Sequence, residues 1–276
     1  MRAPRRRAVV TSLLFSLALL LPSVAGAASY PSSMASTGDS ITRAFNTSWF
    51  PYIDNPSASW STGTSTTVNS HYTRLLKLNP AIKGHNLNDA KSGAKMVDLA
   101  GQMQTVVGQK VQYVTALMGG NDLCTATVDT MTSVDSFRSQ FTAAMNTVTA
   151  GLPAANVYVV SIPNVYHLWE LYKDSSSARN AWASFKVCQS LLANPLSLAT
   201  ADAARREAVR QRNIAFNTVL SEVCGAYAPQ CHFDENAVFN TVFAASDVST
   251  RDYFHPTISG QAMLASVSWA AGYWGP

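Results

Sequence analysis

The sequence is poor in charge: Asp, Glu, Lys and Arg make up 13% of its 276 residues, about half the usual share of ~25%. That composition is often met in exported proteins. An excess of either sign is missing too. Of the 20 basic residues, Arg2, Arg5, Arg6 and Arg7 precede a continuous apolar stretch, and without them 16 basic residues face 16 acidic ones. A nucleic-acid surface, which needs clustered cations, is therefore not expected. No internal repeat, charge block or linker rich in Pro and Gly interrupts the chain, so one domain is expected. Beyond the N-terminal stretch no run approaches the ~20 apolar residues that cross a bilayer, so no stable membrane span is expected. Metal-ligand spacings such as CxxC and HExxH are missing as well. Cys231-His232-Phe233-Asp234 stands alone, and no metal site is expected. With 47% apolar residues the chain can fill a sizeable core, which excludes disorder and collagen-like structure.

What is present begins with a leader. Residues 1–27 combine a basic start, an apolar run from Ala8 to Leu21 and the stretch Ser23-Val24-Ala25-Gly26-Ala27. Ala25 and Ala27 supply the small-x-small pattern of a secretory signal cut after Ala27, which leaves residues 28–276 as the exported domain. The rival reading, an uncleaved anchor, suffers from the shortness of the apolar run. Four cysteines remain, Cys124, Cys188, Cys224 and Cys231, and an even count in an exported protein favours two disulfides. Of the three possible connectivities, the simplest joins Cys224 to Cys231 across a turn holding Gly225 and Pro229, leaving Cys124 for Cys188. Asn46-Thr47-Ser48 is a glycosylation sequon that matters only in a eukaryotic secretory host.

Short β-type runs alternate with helical patterns. Val111 to Met118 and Asn156 to Ile162 read as buried parallel strands, ending at Gly119-Gly120 and at Pro163. Shorter strands are expected at Ser33 to Ser36, near His85 to Asn88, and from His232-Phe233. Helical periodicity covers about 97–107, 132–150, 177–192, 201–222 and 258–270, with Ala208, Ile214, Ala215, Val219 and Val223 expected to face inward. Alternating strands and helices predict a parallel sheet covered on both faces, with the ligand crevice outside the carboxyl ends of the strands. The segment Asn46 to Ser70, with Trp49, Phe50, Tyr52 and Trp60, is either a loop pinned to the surface by its aromatics or one wall of a binding groove.

Three elements fall at predicted strand ends or helix starts: Gly38-Asp39-Ser40-Ile41, Met118-Gly119-Gly120-Asn121-Asp122 and Asp252-Tyr253-Phe254-His255-Pro256. Each alone has an ordinary structural reading, as a helix cap, a turn or a helix entry. Together they supply what acyl transfer needs: a hydroxyl nucleophile, an imidazole to take its proton, a carboxylate to fix the imidazole, and a donor for the oxyanion.

With these blocks the chain resembles the SGNH hydrolases, also called the GDSL esterase/lipase family. A further family block, a lone Gly, is matched less specifically by Asn88-Asp89-Ala90-Lys91-Ser92-Gly93, and the matches run from residue 38 to 256. Ile41 and Thr42 stand where Leu and Ser are commoner. Gly119 to Cys124 looks most like the phospholipase-B-like branch. The resemblance implies a flavodoxin-like, three-layer α/β/α sandwich with a central parallel sheet, a shallow lidless site and no cofactor. It makes Ser40 the nucleophile, His255 the general base and later acid, and Asp252 the group that orients His255. It gives the oxyanion to the N–H groups of Ser40 and Gly93 and the side-chain amide of Asn121. Asp39 and Asp122 are expected to bond loop N–H groups, and His71, His85, His167 and His232 to be surface or satisfied polar residues. The expected function is secreted hydrolysis of carboxylic esters, with lipid or phospholipid acyl esters favoured, by a monomer. The alternatives are an esterase for acetyl groups on polysaccharides such as xylan and a non-catalytic lipid- or glycan-binding protein.

Overall fold

The structure, a computed structural model, describes Met1 and residues 30–275. The expected leader, Met1 aside, lies outside the described residues. Five strands form one sheet: β1 (Met34–Gly38), β2 (Asn86–Asn88), β3 (Tyr113–Leu117), β4 (Asn156–Val159) and β5 (Cys231–Phe233). Their order is β2-β1-β3-β4-β5 and every pairing is parallel. All five residues of β1 and of β3 are buried, as strands covered on both faces require.

Nine α-helices lie among the described residues: α1 (His71–Leu78), α2 (Met96–Gln109), α3 (Gly120–Leu123), α4 (Val134–Gly151), α5 (Val165–Tyr172), α6 (Ser176–Ser184), α7 (Gln189–Leu192), α8 (Thr200–Ala226) and α9 (Ile258–Ala270). α2, α4 and α8 pack on one face, where Leu99, Met103, Phe137, Phe141, Phe216 and Leu220 join Val114, Val157 and Val159. α1 and α9 take the other face, where Leu75 and Leu264 join Tyr113, Leu117 and Tyr158. The architecture is the expected three-layer α/β/α sandwich. No described helix is long and apolar enough to cross a membrane. The cysteines pair as Cys124–Cys188 and Cys224–Cys231.

Two expectations need correction, and two helices were not expected. The single helix expected over 177–192 is two, α6 and α7, because Lys186 and Cys188 take left-handed φ values of 54° and 42°, which no helix can contain. On α8 the inward stripe runs through Val209, Phe216, Leu220 and Val223, while Ala208 is exposed and Ile214 and Ala215 are only half-buried. Arg206, Asn213 and Asn217 are buried members of that stripe, and their polarity hides its phase. α1 and α5 lie outside the expected helical segments. Each starts on a capping side chain: the Ser70 hydroxyl accepts the Thr73 N–H, and the Asn164 carbonyl accepts the N–H groups of Tyr166 and His167.

Candidate active site

In this strand order the chain leaves β1 for β2 on one side and builds β3, β4 and β5 on the other. The ends of β1 and β3 are thus the point where a ligand crevice opens. The turn after β1 demands glycine. Gly38 has φ +142°, and a Cβ there would sit 2.4 Å from the Leu117 carbonyl oxygen and 2.6 Å from the Thr42 hydroxyl. Gln102 of α2 braces this turn, donating to the Gly38 carbonyl (2.9 Å) and accepting the Gly38 N–H (2.7 Å). Asp39 is buried and accepts the Ile41 N–H at 2.9 Å; burial pushes its carboxyl up to about 6. Ser40 follows at the mouth of the crevice.

The loop before α9 meets it. Tyr253 holds φ +52°, a costly conformation for an aromatic residue. That turn lets Asp252 Oδ1 accept the N–H groups of Phe254 (3.0 Å) and His255 (3.1 Å). Asp252 Oδ2 then lies 2.7 Å from His255 Nδ1, and His255 Nε2 lies 2.8 Å from Ser40 Oγ. With Nδ1–H donated to the carboxylate, Nε2 is free to accept the Ser40 hydroxyl hydrogen. The imidazole is flanked by Phe45 and Phe254, with ring centroids at 4.8 and 5.1 Å. Burial raises the Asp252 carboxyl, but the His255 ring and the two N–H donors outweigh it and hold it below the usual carboxylate range.

Two residues around this line escaped the sequence reading, one bonded to Asp252 and the other to the loop that carries the first. Asn46, buried with φ +67°, donates its amide to Asp252 Oδ2 and accepts the Tyr52 N–H. Its engaged, buried side chain leaves no room for a glycan, so the sequon is closed in the folded chain. Arg251 donates to the carbonyls of Asn46, Ser48, Trp49 and Phe50. The only signals were an Asn in a Ser/Thr-rich loop and an Arg beside Asp252, neither distinctive.

On the other side of Ser40, Asn121 in α3 lines the same cleft. One of its amide hydrogens goes to the Ala94 carbonyl (2.9 Å), which leaves the second free. That bond ties Asn121 to the Gly93 loop, and the Lys91 N–H ties the loop to the Gly38 carbonyl (3.1 Å). Gly93 itself does not line the cleft. Neither its N–H nor that of Ser40 has an acceptor among the described residues. Asp122 accepts the Met96 N–H and the Thr132 hydroxyl, fixing the start of α2. No group of three His, Cys, Asp or Glu suited to a metal occurs among the described residues.

Beyond Ser40 and Asn121 the cleft is mostly apolar. Ile162, Leu168 and Leu171 line it from the end of β4 and from α5, and Phe243, Val248 and Phe254 from the stretch between β5 and α9. Asn217 and Asn213 of α8 anchor this region by bonding the Ile162 backbone and the Val165 N–H. The Asn46–Ser70 segment matches neither alternative wholly. Trp60 is buried in the core, Trp49, Phe50 and Tyr52 project into solvent, and none of them lines the apolar cleft.

No curated protein matches the chain. Among solved structures it is similar to an α/β-hydrolase enzyme from the metagenome of Lake Arreo, Spain, at 15% identity and TM-score 0.54, covering 87% of this chain and 94% of that one. A lipase from a goat rumen metagenome is similar at 16% identity and TM-score 0.54, covering 87% and 97%. A family 3 carbohydrate esterase of Clostridium thermocellum is similar at 13% identity and TM-score 0.50, covering 85% and 92%. At such identities the likeness is one of fold. The family model for GDSL-like lipase/acylhydrolase, however, matches residues 36–267. The chain belongs to that family and is a carboxylic ester hydrolase.

Proposed function

We propose that residues 28–276 form a single secreted domain that hydrolyses acyl esters of lipids through a covalent intermediate on Ser40. The observation that carries this reading is the continuous hydrogen-bond line Ser40–His255–Asp252 opening directly onto an apolar cleft. Ser40 Oγ attacks the ester carbonyl while His255 Nε2 takes its proton. Asp252 holds the imidazole in the tautomer that can accept it. The tetrahedral oxyanion is met by the Ser40 N–H and the free amide hydrogen of Asn121, with the Gly93 N–H, outside the apolar lining but without an acceptor among the described residues, as third donor. Its collapse expels the alcohol, protonated by His255, and leaves the acyl group on Ser40. Water, activated by His255, then releases the acid. The candidate site is assembled within one chain, and we take the domain to act as a monomer. Two disulfides and the absence of a membrane-length helix among the described residues fit export.

Acetyl esters of polysaccharides are the second reading, and the fold likeness to a carbohydrate esterase keeps it open. An acetyl group would leave the cleft lined by Leu168, Leu171 and Phe243 unfilled, so the longer acyl chain of a lipid is favoured. The run Gly119 to Cys124, with its likeness to the phospholipase-B-like branch, points the same way. The decisive test is Ser40→Ala, expected to abolish hydrolysis of p-nitrophenyl esters, with a fluorophosphonate labelling the wild type once, at Ser40. Asn121→Ala should lower kcat by about 10²–10³ and Asp252→Asn by up to about 10⁴. Across esters from acetyl to palmitoyl, alongside a phospholipid and acetylated xylan, kcat/KM should rise beyond acetyl. A strict preference for acetylated xylan would move the function to carbohydrate.

A further inference from the structure

We propose that the loop Asn46–Ile53 is a docking element for the surface of a lipid aggregate, held in fixed register with the ester-cleaving site by Arg251. The proposal rests on the lipid-ester reading above and names where the substrate surface sits. Four of the five positions from 49 to 53 carry large aromatic or aliphatic side chains and are exposed: Trp49 at 89%, Phe50 at 67%, Tyr52 at 48% and Ile53 at 45%. Phe185, 53% exposed in the turn after α6, brings its ring within 5.4 Å of Tyr52 and extends the patch. Other strongly exposed apolar side chains, among them Val97, Leu198 and Val242, are aliphatic, whereas Trp60 and Trp182 are fully buried. A contiguous exposed apolar patch of this kind marks an interaction surface rather than ordinary surface scatter.

The loop is built inside out. In an ordinary surface loop the carbonyls meet water and the apolar side chains turn in. Here one guanidinium gathers the carbonyls of Asn46 (3.1 Å), Ser48 (2.7 Å), Trp49 (3.0 Å) and Phe50 (3.3 Å) on the protein side, and the rings are turned out. Asn46 closes the base by accepting the Tyr52 N–H at 2.6 Å and donating to Asp252. Pairing four carbonyls with one guanidinium lowers the cost of placing a loop in a headgroup layer, where unsatisfied backbone groups are expensive. Trp and Tyr favour that layer, with an apolar ring and a polar edge. Because the anchor is the residue beside Asp252, a surface that seats the loop is also presented to the site.

A glycan is the less suitable occupant. The Tyr52 and Phe185 rings stand at 56° to each other, so they offer no flat platform for a sugar chain, and Ile53 adds aliphatic area that sugar stacking does not use.

The test uses the Ser40→Ala protein, which cannot consume its target, and vesicles of palmitoyl-oleoyl phosphatidylcholine. Co-sedimentation should show binding, and Trp49→Ser with Phe50→Ser in the same background should weaken partitioning by about tenfold or more, given the ring area lost. Both substitutions leave the Arg251 contacts, which involve only carbonyls, and the melting temperature should be unchanged. With Ser40 intact, the double variant should lose a similar factor on vesicle phospholipid but stay within about twofold of wild type on soluble p-nitrophenyl butyrate. Equal vesicle binding by the double variant overturns the proposal. So does binding to acetylated xylan in place of vesicles, or self-association of the wild type that the variant abolishes. Vesicle binding that depends on Trp49 and Phe50, without hydrolysis of any lipid ester, would keep the docking element and discard the lipid-ester reading.

Discussion

On one face of the sheet, Leu99, Met103, Phe137, Phe141 and Phe216 pack against Val114, Val157 and Val159 through hydrocarbon contacts, while the buried Gln102, Asn213 and Asn217 of the same layer bond backbone groups. On the other face, Tyr113 and Tyr158 project from neighbouring strands toward Trp60, His71 and Trp269, and much of the layer is held by polar pairs. Ser61 meets Thr115 at 2.7 Å, Ser36 meets Thr62 at 2.9 Å, and His71 bridges Tyr113 (2.9 Å) and Ser268 (2.8 Å). Hydrocarbon contacts are insensitive to pH and contribute in proportion to area removed from water. A polar layer contributes only while every buried donor and acceptor is matched, and its histidine can be unmatched by a proton. The two faces should therefore fail differently.

The hydrocarbon face should give the largest single loss. Phe216 is fully buried and stacks on Phe137 with ring centroids 3.9 Å apart and planes 7° apart. Phe216→Ala should cost about 3–5 kcal/mol of unfolding free energy, by the same amount at pH 5.5 and pH 7.5 in urea titrations. A loss that changed with pH would mean the packing there is not purely hydrocarbon.

Both disulfides belong to the hydrocarbon side, where Cys188, Cys224 and Cys231 are buried. Cys124–Cys188 closes a separation of 64 residues and Cys224–Cys231 one of 7. The chain-entropy model gives roughly 4 kcal/mol for the long bridge and roughly 2.5 for the short one. The long bridge also tethers the end of α3, where Ser190 bonds the Leu123 carbonyl (2.7 Å), three positions from Asn121 at most. Cys124→Ser with Cys188→Ser should thus lower both melting temperature and kcat. Cys224→Ser with Cys231→Ser should lower mainly the melting temperature. Equal effects on kcat would separate the Asn121 loop from the bridge.

The same contrast explains what could be read in advance. The hydrocarbon face announced itself through buried strand runs at Val111 to Met118 and Asn156 to Ile162 and through helical periodicity over α2, α4 and α8. The phase of α8 failed where Asn213 and Asn217 spend buried positions on the backbone of Ile162 and Val165. The polar face gave almost no signal, because Ser36, Ser61, Thr62, Thr115 and His71 are residue types usually found in water. Ser40, Asn121, Asp252 and His255 stood out as motif blocks at strand and helix ends. Asn46, Gln102 and Arg251 did not, since their contacts span 206, 64 and 205 residues and leave no local pattern.

The titratable effect is the most specific to the polar face. The Ser268 hydroxyl donates to the Leu264 carbonyl (2.6 Å), so it can only accept from His71 Nε2–H, and His71 Nδ1 then accepts the Tyr113 hydroxyl. A neutral imidazole satisfies that chain completely; a second proton, on Nδ1, meets the Tyr113 hydrogen. Burial, with the nearby Arg74 charge, accordingly lowers His71 from 6.5 to about 3. Since the unfolded chain binds this proton first, the stability from His71 is complete above about pH 6.5 and is lost as pH falls toward 3, at about 1.4 kcal/mol per unit. Asp39 runs the other way. Its carboxyl is raised from 3.8 to about 6, so its burial cost is present above pH 6 and is relieved as pH falls to 3.8. The two slopes largely cancel between pH 6 and 4 in the wild type, and the His71 contribution must be read as a difference. His71→Gln, whose amide can still bridge Tyr113 and Ser268 but cannot titrate, should be less stable than wild type at pH 7. The gap should close by about 1.4 kcal/mol for each pH unit below 6.5, measured by urea unfolding. A gap that stays constant from pH 7 to pH 4.5 would show that His71 carries no buried neutral state, and the distinction between the two faces would lose its titratable half.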